Sequence, residues 1–423
     1  MHINRREWLT GAAASLLLTN ELTAQEARAT SATELPASSD EFPIVATRTF
    51  LNSARWHPMS TSSVRAMQAY ADFAMTRSPK QRELVNTMED QVKARFAQLI
   101  NANPLEISYV QSTMMGENIV LAGVEAFTSP GNIVTDVLHY QASIYLYRSL
   151  QRSGRDVRIV GQRDGRIEMK DLEAVIDKNT RLVSLSLVSF ANGFQHDLKR
   201  VCELAHAHGA HVYADIVQAA GAVPIDVRES GVDFCACSTY KWLMGDMGIG
   251  FLYVRQDLLG TVIHRTQYGK KQITDFESHI FPYDAPSGAP ETWKNVPGSA
   301  GFFEVGSYSL SGIACLTQSL SYIQKLGVDR IQNHARSLTS RLQVELPKLG
   351  FLPLSPPDGA AHIVTFAMKD PDHVRQVLAA RSIEVTFEQH RMRISPSVFN
   401  DHKDIDRLLD ALHGAPDGSV IVP

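Results

Sequence analysis

The stretch Val212-Tyr-Ala-Asp215-Ile-Val-Gln218, followed by Cys237-Ser-Thr-Tyr-Lys241-Trp242, decides how this chain is read. Each half begins as a short apolar run and ends in polar side chains, the pattern of a buried strand that presents chemistry at its C-terminal end. The first strand delivers a carboxylate, the second a lysine in a hydroxyl-rich turn. A lysine forms an imine with an aldehyde, and a carboxylate keeps a pyridine nitrogen protonated. Holding pyridoxal 5′-phosphate requires both, so the pair predicts that cofactor, with Lys241 as the catalytic residue and Asp215 against the ring nitrogen. Alone, Lys241 would read as a surface lysine and Asp215 as a helix cap. Their pairing, with Gln218 one helical turn on and placed for the phenolic oxygen, favours chemistry.

Around this pair, short β-branched runs alternate with helical segments at 107–111, 132–137, 156–160, 181–188, 211–214, 234–238 and 250–254. Strands separated by helices imply right-handed crossovers and a mainly parallel sheet. The expectation is an α/β fold: a large cofactor-binding domain over 43–308, with a mainly parallel seven-stranded sheet flanked by helices. A connecting helix and a smaller α+β C-terminal domain fill 309–423, with helices at 328–346, 372–381 and 403–413 and strands at 361–368, 384–388 and 391–394. The site belongs in the crevice between the domains. Residues 262–300, with four prolines and three glycines, show no sustained period and read as an irregular excursion over the site.

Further candidates follow from what the cofactor needs. Ser112 and Thr113, with Met114 beside them, end a strand and open a helix with Gly116 in its first turn, a fit for phosphate. Ser238 is the second phosphate donor. Tyr140 is the ring expected to stack on the pyridine, with His139 as runner-up. Arg393, two residues after Arg391 on the same strand face, offers a planar fork for a substrate α-carboxylate.

The 423 residues, 44% apolar and 20% charged, are ordinary for a globular chain. A net charge of −4 without a long basic run gives no reason to expect nucleic acid. Cys202, Cys235, Cys237 and Cys315 show no metal-ligand spacing and read as buried small hydrophobes, so no metal is expected. At the N-terminus, Arg5-Arg6-Glu-Trp8-Leu9 precedes a short apolar stretch, residues 11–18, and small-residue sites near 22–29. That order predicts a twin-arginine signal peptide over 1–29, a linker over 30–42, and folded export to the periplasm with a mature start near Gln25 or Thr30. The apolar stretch is too short to serve as a stable membrane anchor.

Taken together, these motifs resemble the class V aminotransferase branch of fold-type I pyridoxal-phosphate enzymes, over about residues 51–412. That branch includes cysteine desulfurases, isopenicillin-N epimerase, kynureninase and serine–glyoxylate-type aminotransferases. Asp215-Ile-Val-Gln218-Ala-Ala-Gly221 looks like the family's D-x-x-Q-x-x-G, Ser238-Thr-Tyr-Lys241 like its S-x-x-K, and Arg393-Ile-Ser395 like its carboxylate-binding R-x-S. Ser112-Thr113-Met114-Met115 stands at the G-T-T-E phosphate loop. Phe303-Glu304-Val-Gly306-Ser307 is similar to F-E-x-G-T, which in the family reaches the neighbouring subunit's cofactor phosphate. The resemblance implies a homodimer with shared sites and a role for Ser307 there. The chain departs from the pattern in several places. Tyr240 precedes the lysine where desulfurases have His, Met114 and Met115 replace Thr and Glu, and Phe190 stands where the family has a cofactor-binding Asn, with Asn192 nearby. No cysteine lies between 384 and 391, where a desulfurase carries its nucleophile, and Tyr140 at the stacking position is similar to the epimerase-like branch.

The expected function is an exported enzyme acting on an amino acid or amino-acyl compound, a transferase of the class V type. Epimerisation and elimination are alternatives on the same scaffold, and a secreted binding protein without catalysis is the reading of another class. The expected partners are a small amino-acid-like substrate, a second copy of the chain and the twin-arginine export machinery.

Overall fold

A computed structural model of the chain describes residues 35, 40–359 and 362–413. The expected export signal and most of the expected linker lie outside these residues. Seven strands build the large domain: β1 (Ile107–Val110), β2 (Asn132–Asp136), β3 (Asp156–Val160), β4 (Thr180–Ser186), β5 (His211–Asp215), β6 (Phe234–Ser238) and β7 (Gly250–Val254). Their order in the sheet is β1-β7-β6-β5-β4-β2-β3. All run parallel except β7, which is antiparallel to both its neighbours. Every residue of β5 except His211, and all of β6, is buried. This is why these strands read as continuous apolar runs without alternation.

Among the described residues, nine longer helices surround and extend the sheet: α1 (Thr61–Thr76), α2 (Pro79–Leu99), α3 (Thr113–Gly123), α4 (Gln141–Arg152), α5 (Leu198–Ala207), α6 (Leu310–Leu326), α7 (Val328–Lys348), α8 (Pro371–Ala380) and α9 (His402–His413). Helix α3 lies unusually close to β6, because a Cβ on Gly116 would sit 2.6 Å from the Cβ of Ala236. That close approach sets the N-terminus of α3 beside the C-terminal end of β6. Helix α6 packs across α1 and α2 and leads the chain out of the large domain.

Residues 262–300 correct the expectation of an irregular excursion, because they include an antiparallel hairpin, β8 (Ile273–Ser278) and β9 (Glu291–Asn295). Its strands are exposed along most of their length. With solvent on both faces no alternation is imposed, so the sequence carries no period there. A stacked Phe276–Trp293 pair and a Lys294–Asp275 ion pair join the strands instead.

The smaller domain has a four-stranded antiparallel sheet of β10 (Leu352–Pro353), β11 (Val364–Ala367), β12 (Thr386–Glu388) and β13 (Arg391–Ile394), in the order β10-β11-β13-β12. Its core is Leu338, Leu342, Phe366, Leu378, Met392, Ile405 and their neighbours. The expected single strand at 384–388 divides, because Ile383–Glu384 pairs instead with the N-terminal segment Thr49–Phe50. Asn52 then bridges to Ser395. The chain therefore enters the fold along the smaller domain, and residues 51–58 pass between the two domains next to the site.

Candidate active site

The C-terminal ends of β5 and β6 point the same way, which brings Asp215 and Lys241 together. Asp215 is buried, its Oδ1 accepting from the Val217 backbone N–H at 2.9 Å and its Oδ2 from Ser186 Oγ at 3.5 Å. Burial pushes its carboxyl pKa above the ordinary value, against the opposing pull of His139, the Val217 N–H and Lys241. Lys241 is 7% exposed and makes no hydrogen bond or ion pair through its ammonium among the described residues. Its Nζ lies 5.8 Å from the ring centres of both Tyr140 and Tyr240. Burial lowers its pKa to about 8; Asp215 pulls the other way and Arg393 adds to the lowering. A buried amine whose pKa is lowered gives up its proton more readily than a free lysine, which suits it to attack an aldehyde.

The first turn of α3 and the end of β6 are stitched together. The Thr113 backbone N–H donates to Ser238 Oγ, and the Ser238 N–H donates to Thr113 Oγ1, both at 2.9 Å. Ser112 caps the helix, accepting the Met115 N–H at 3.1 Å. Two hydroxyls at a helix N-terminus are the donors a phosphate requires. Met114 is half-buried, and its sulfur accepts from Ser143 Oγ at 3.4 Å.

Gln218 is bound on both sides: its Nε2 donates to the Ala54 carbonyl at 3.0 Å, and its Oε1 accepts from Trp242 Nε1 at 2.7 Å. One amide hydrogen remains for a cofactor oxygen. Gly221 closes the same segment at φ +89°, where a Cβ would lie 2.4 Å from the Trp242 carbonyl. Only glycine fits, which accounts for the last position of the D-x-x-Q-x-x-G pattern.

Arg393 is 7% exposed. Its Nη1 donates to the Phe190 carbonyl at 2.9 Å and its Nη2 to Thr386 Oγ1 at 3.1 Å, while its buried Nε has no partner among the described residues. Burial lowers its pKa to about 10. A desolvated guanidinium without a carboxylate is poised for an anion. Arg391 instead pairs with Glu388 at the edge of the sheet. Phe190, at the family's Asn position, supplies the carbonyl for Arg393 and sets its ring edge-on to Tyr140 at 5.4 Å. Asn192 faces elsewhere, donating to the carbonyls of Gly165 at 2.7 Å and Leu354 at 3.2 Å. It ties the domains together and takes no part in the site.

Beneath Tyr140 lies a buried network that the sequence did not reveal. His139 Nδ1 accepts the Tyr140 backbone N–H at 2.8 Å and is 2.9 Å from Ser186 Oγ. Its Nε2 lies 3.3 Å from Glu117 Oε1. Glu117, wholly buried in α3, also accepts from Ser143 Oγ at 2.6 Å and Tyr147 OH at 2.7 Å. Burial disfavours the imidazolium, but Glu117, Asp215 and Asp136 outweigh it and hold the His139 pKa above its ordinary value. The one available signal was an acidic residue inside the apolar run Met114 to Leu121. A carboxylate there must be buried, and a buried carboxylate must be paired.

The structure therefore gathers Lys241, Asp215, Gln218, Tyr140, Tyr240, Ser238, Thr113 and Arg393 around one crevice, with Ser112 and Met114 at its rim. Ser307 is separate: it is exposed in the link before α6 and has no hydrogen bond or ion pair to this group among the described residues. All four cysteines are free and buried, and no cluster able to hold a metal occurs among the described residues. A buried unpaired amine, a carboxylate, an open guanidinium and paired hydroxyls at a helix N-terminus suit the aldehyde, ring nitrogen and phosphate of pyridoxal 5′-phosphate and an amino-acid carboxylate.

Comparison with known proteins gives the same assignment. The aminotransferase class-V family model matches residues 63–408. A probable cysteine desulfurase of Methanothermobacter thermautotrophicus is 26% identical over 80% of this chain and 83% of its own. An uncharacterized aminotransferase of Bacillus subtilis is 24% identical over 88% and 95%. The apo structure of a cysteine desulfurase from Thermococcus onnurineus superposes with a TM-score of 0.78 at 22% identity, covering 90% of this chain and 97% of that one. A cystine C–S lyase in complex with cysteine persulfide superposes at 0.77, covering 88% and 99% at 22% identity. The chain belongs to the aminotransferase class-V family and is a pyridoxal-phosphate-dependent enzyme with the fold-type I architecture.

Proposed function

We propose that this enzyme acts at the α-carbon of an amino acid or amino-acyl substrate and transfers its amino group. The observation that carries this reading is Lys241: a buried amine without a partner, its pKa lowered to about 8, with Asp215 and Arg393 acting on its charge from nearby. When bound, pyridoxal 5′-phosphate supplies an aldehyde that captures amines and a protonated ring that draws electrons from the bond being broken. Asp215 would hold the ring nitrogen protonated, and Tyr140 would pack against the ring. Arg393 takes the substrate carboxylate through its guanidinium. Lys241 would hold the cofactor aldehyde, and its Nζ is the group that would carry the Cα proton.

Elimination is the second reading, because relatives are named cysteine desulfurases and one structural neighbour a C–S lyase. Sulfur transfer to a protein thiol has little support here: burial raises the thiol pKa of all four cysteines, Cys202, Cys235, Cys237 and Cys315. A readily formed thiolate is thus lacking. Epimerisation remains a third outcome of the same proton movement.

The test is the absorbance spectrum of the loaded enzyme with a panel of amino acids. Lys241→Ala is expected to lose the visible cofactor band and to lower turnover by about 10³-fold or more. Transfer yields one keto acid per site until an acceptor is added, elimination releases ammonia catalytically, and epimerisation returns the opposite enantiomer. An unchanged band in Lys241→Ala would remove the lysine from its role.

Folded export to the periplasm and a homodimer with Ser307 reaching the partner's cofactor phosphate belong to the same proposal. The first rests on the order of basic, apolar and small-residue segments within residues 1–29. Met1 retained on protein purified from a periplasmic fraction would overturn it. The second rests on the exposure of Ser307 and on its place in the F-E-x-G-S segment. A monomeric active enzyme in analytical ultracentrifugation would overturn that.

A further inference from the structure

The segment that threads between the domains carries an arginine the reaction above does not use. Arg55 is exposed and makes no hydrogen bond or ion pair through its side chain among the described residues. With Asn52, Trp56, His57 and Glu384 it lines a groove of about 430 Å³. Three connections fix this groove against the active site. The Ala54 carbonyl accepts from Gln218 at 3.0 Å, and the His57 backbone N–H donates to the carbonyl of Tyr240, the residue before the catalytic lysine, at 3.0 Å. On the other wall, Arg393 donates to Thr386 Oγ1, and Thr386 in turn donates to Asn52 Oδ1 in the groove. The charges of Arg55 and Arg393 lie near enough for Arg55 to depress the Arg393 pKa.

Glu384 is the one carboxylate lining the groove. It is already held by Arg48 at 3.0 Å and by the Asn52 amide at 3.3 Å, so it does not neutralise Arg55. Two guanidinium groups without carboxylate partners are therefore joined through Thr386 and Asn52, Arg393 beside the site and Arg55 in the groove. Arg393 suits an α-carboxylate, and Arg55 is free for a second anion in the adjoining groove. Trp56, 52% exposed, offers an apolar wall in the same groove.

We propose that the groove is a subsite for a second anionic group and that Arg55 selects substrates bearing one, such as amino acids with an acidic side chain. This rests on the function proposed above. It adds that a neutral isostere of the same length is discriminated against because it leaves Arg55 without a counter-charge.

The experiment uses the loaded enzyme with two readouts. In the first, glutamate and aspartate are compared with glutamine and asparagine by the shift of the cofactor band. Wild type is expected to favour the acidic members by about ten-fold to a hundred-fold in apparent affinity, and Arg55→Gln to lose that preference while its response to neutral amino acids stays put. The second readout needs no reaction: glutarate and butyrate are titrated against the fluorescence of Trp56, with Trp56→Phe as the blank. Glutarate is expected to bind more tightly than butyrate in wild type and equally weakly in Arg55→Gln. If no amino acid shifts the band but glutarate still binds through Arg55, the reaction assignment fails and the anion subsite stands. If the preference for the second charge is absent, or survives Arg55→Gln in both readouts, the subsite is overturned.

Discussion

Two buried aspartates on neighbouring parallel strands have opposite electrostatics. Asp233 immediately precedes β6 at the N-terminal end of the strands, and Asp215 ends β5 at the C-terminal end. Asp233 accepts from the Val212 backbone N–H at 2.7 Å and pairs with His206 at 2.8 Å, Arg255 at 2.8 Å and His211 at 3.6 Å. Burial works against its charge, but His206, His211 and the Val212 N–H outweigh that and lower its pKa to about 2. Asp215 has a single firm donor, and its pKa is raised by burial. One carboxylate is satisfied by the fold. The other is left to be satisfied by a ligand, which is how strained electrostatics mark a functional site.

The largest test of this contrast is Asp215→Asn. An amide cannot keep a pyridine nitrogen protonated, so activity is expected to fall by about 10³-fold, while the cofactor-free protein unfolds within about 1 kcal/mol of wild type. Steady-state kinetics and urea melts of both forms check this. A large stability loss with modest loss of activity would reverse the assignment.

Asp233→Asn should do the opposite. Removing the carboxylate takes the partner from two histidines and leaves Arg255 only Asp257, with an expected loss of about 2–3 kcal/mol in urea unfolding and little change in turnover of the folded fraction. The same cluster sets an acid limit. Its folded pKa of about 2 lies below the ordinary 3.8, so its contribution is complete above the unfolded pKa and is lost as pH falls from about 4 through about 2. The difference corresponds to about 2 kcal/mol. Urea midpoints measured across that range should converge for wild type and Asp233→Asn at the acid end. Parallel curves would show that the pairs around Asp233 contribute nothing.

The contrast also shows what the sequence could reveal. Lys241, Asp215, Gln218 and Ser238 were legible because a strand end and the turn after it are local: the residues that position them are their neighbours in the chain. The central strands were legible for the same reason, since burial on both faces writes itself as an apolar run. The hairpin formed by β8 and β9 was not, because a solvated strand needs no pattern. Glu117 and Phe190 act through partners tens to hundreds of residues away, and no spacing within the chain encodes that Phe190 supplies a carbonyl to Arg393 or that Thr386 reaches Asn52 in the groove. Asn192 lies two residues from the family position but points to the smaller domain.

The smallest expected effect discriminates most finely between the two aspartates. Ser186 Oγ stands 2.9 Å from His139 Nδ1 and 3.5 Å from Asp215 Oδ2, at the outer limit of a hydrogen bond. If Asp215 is held by its place at the strand end and by the Val217 N–H, Ser186→Ala should lower kcat/KM by only about two- to five-fold and cost less than about 1 kcal/mol of stability. If the carboxylate is instead oriented through Ser186, His139 and Glu117, the same substitution will approach the loss seen in Asp215→Asn. The buried network in α3, and not the strand, would then be what prepares Asp215 for its ligand.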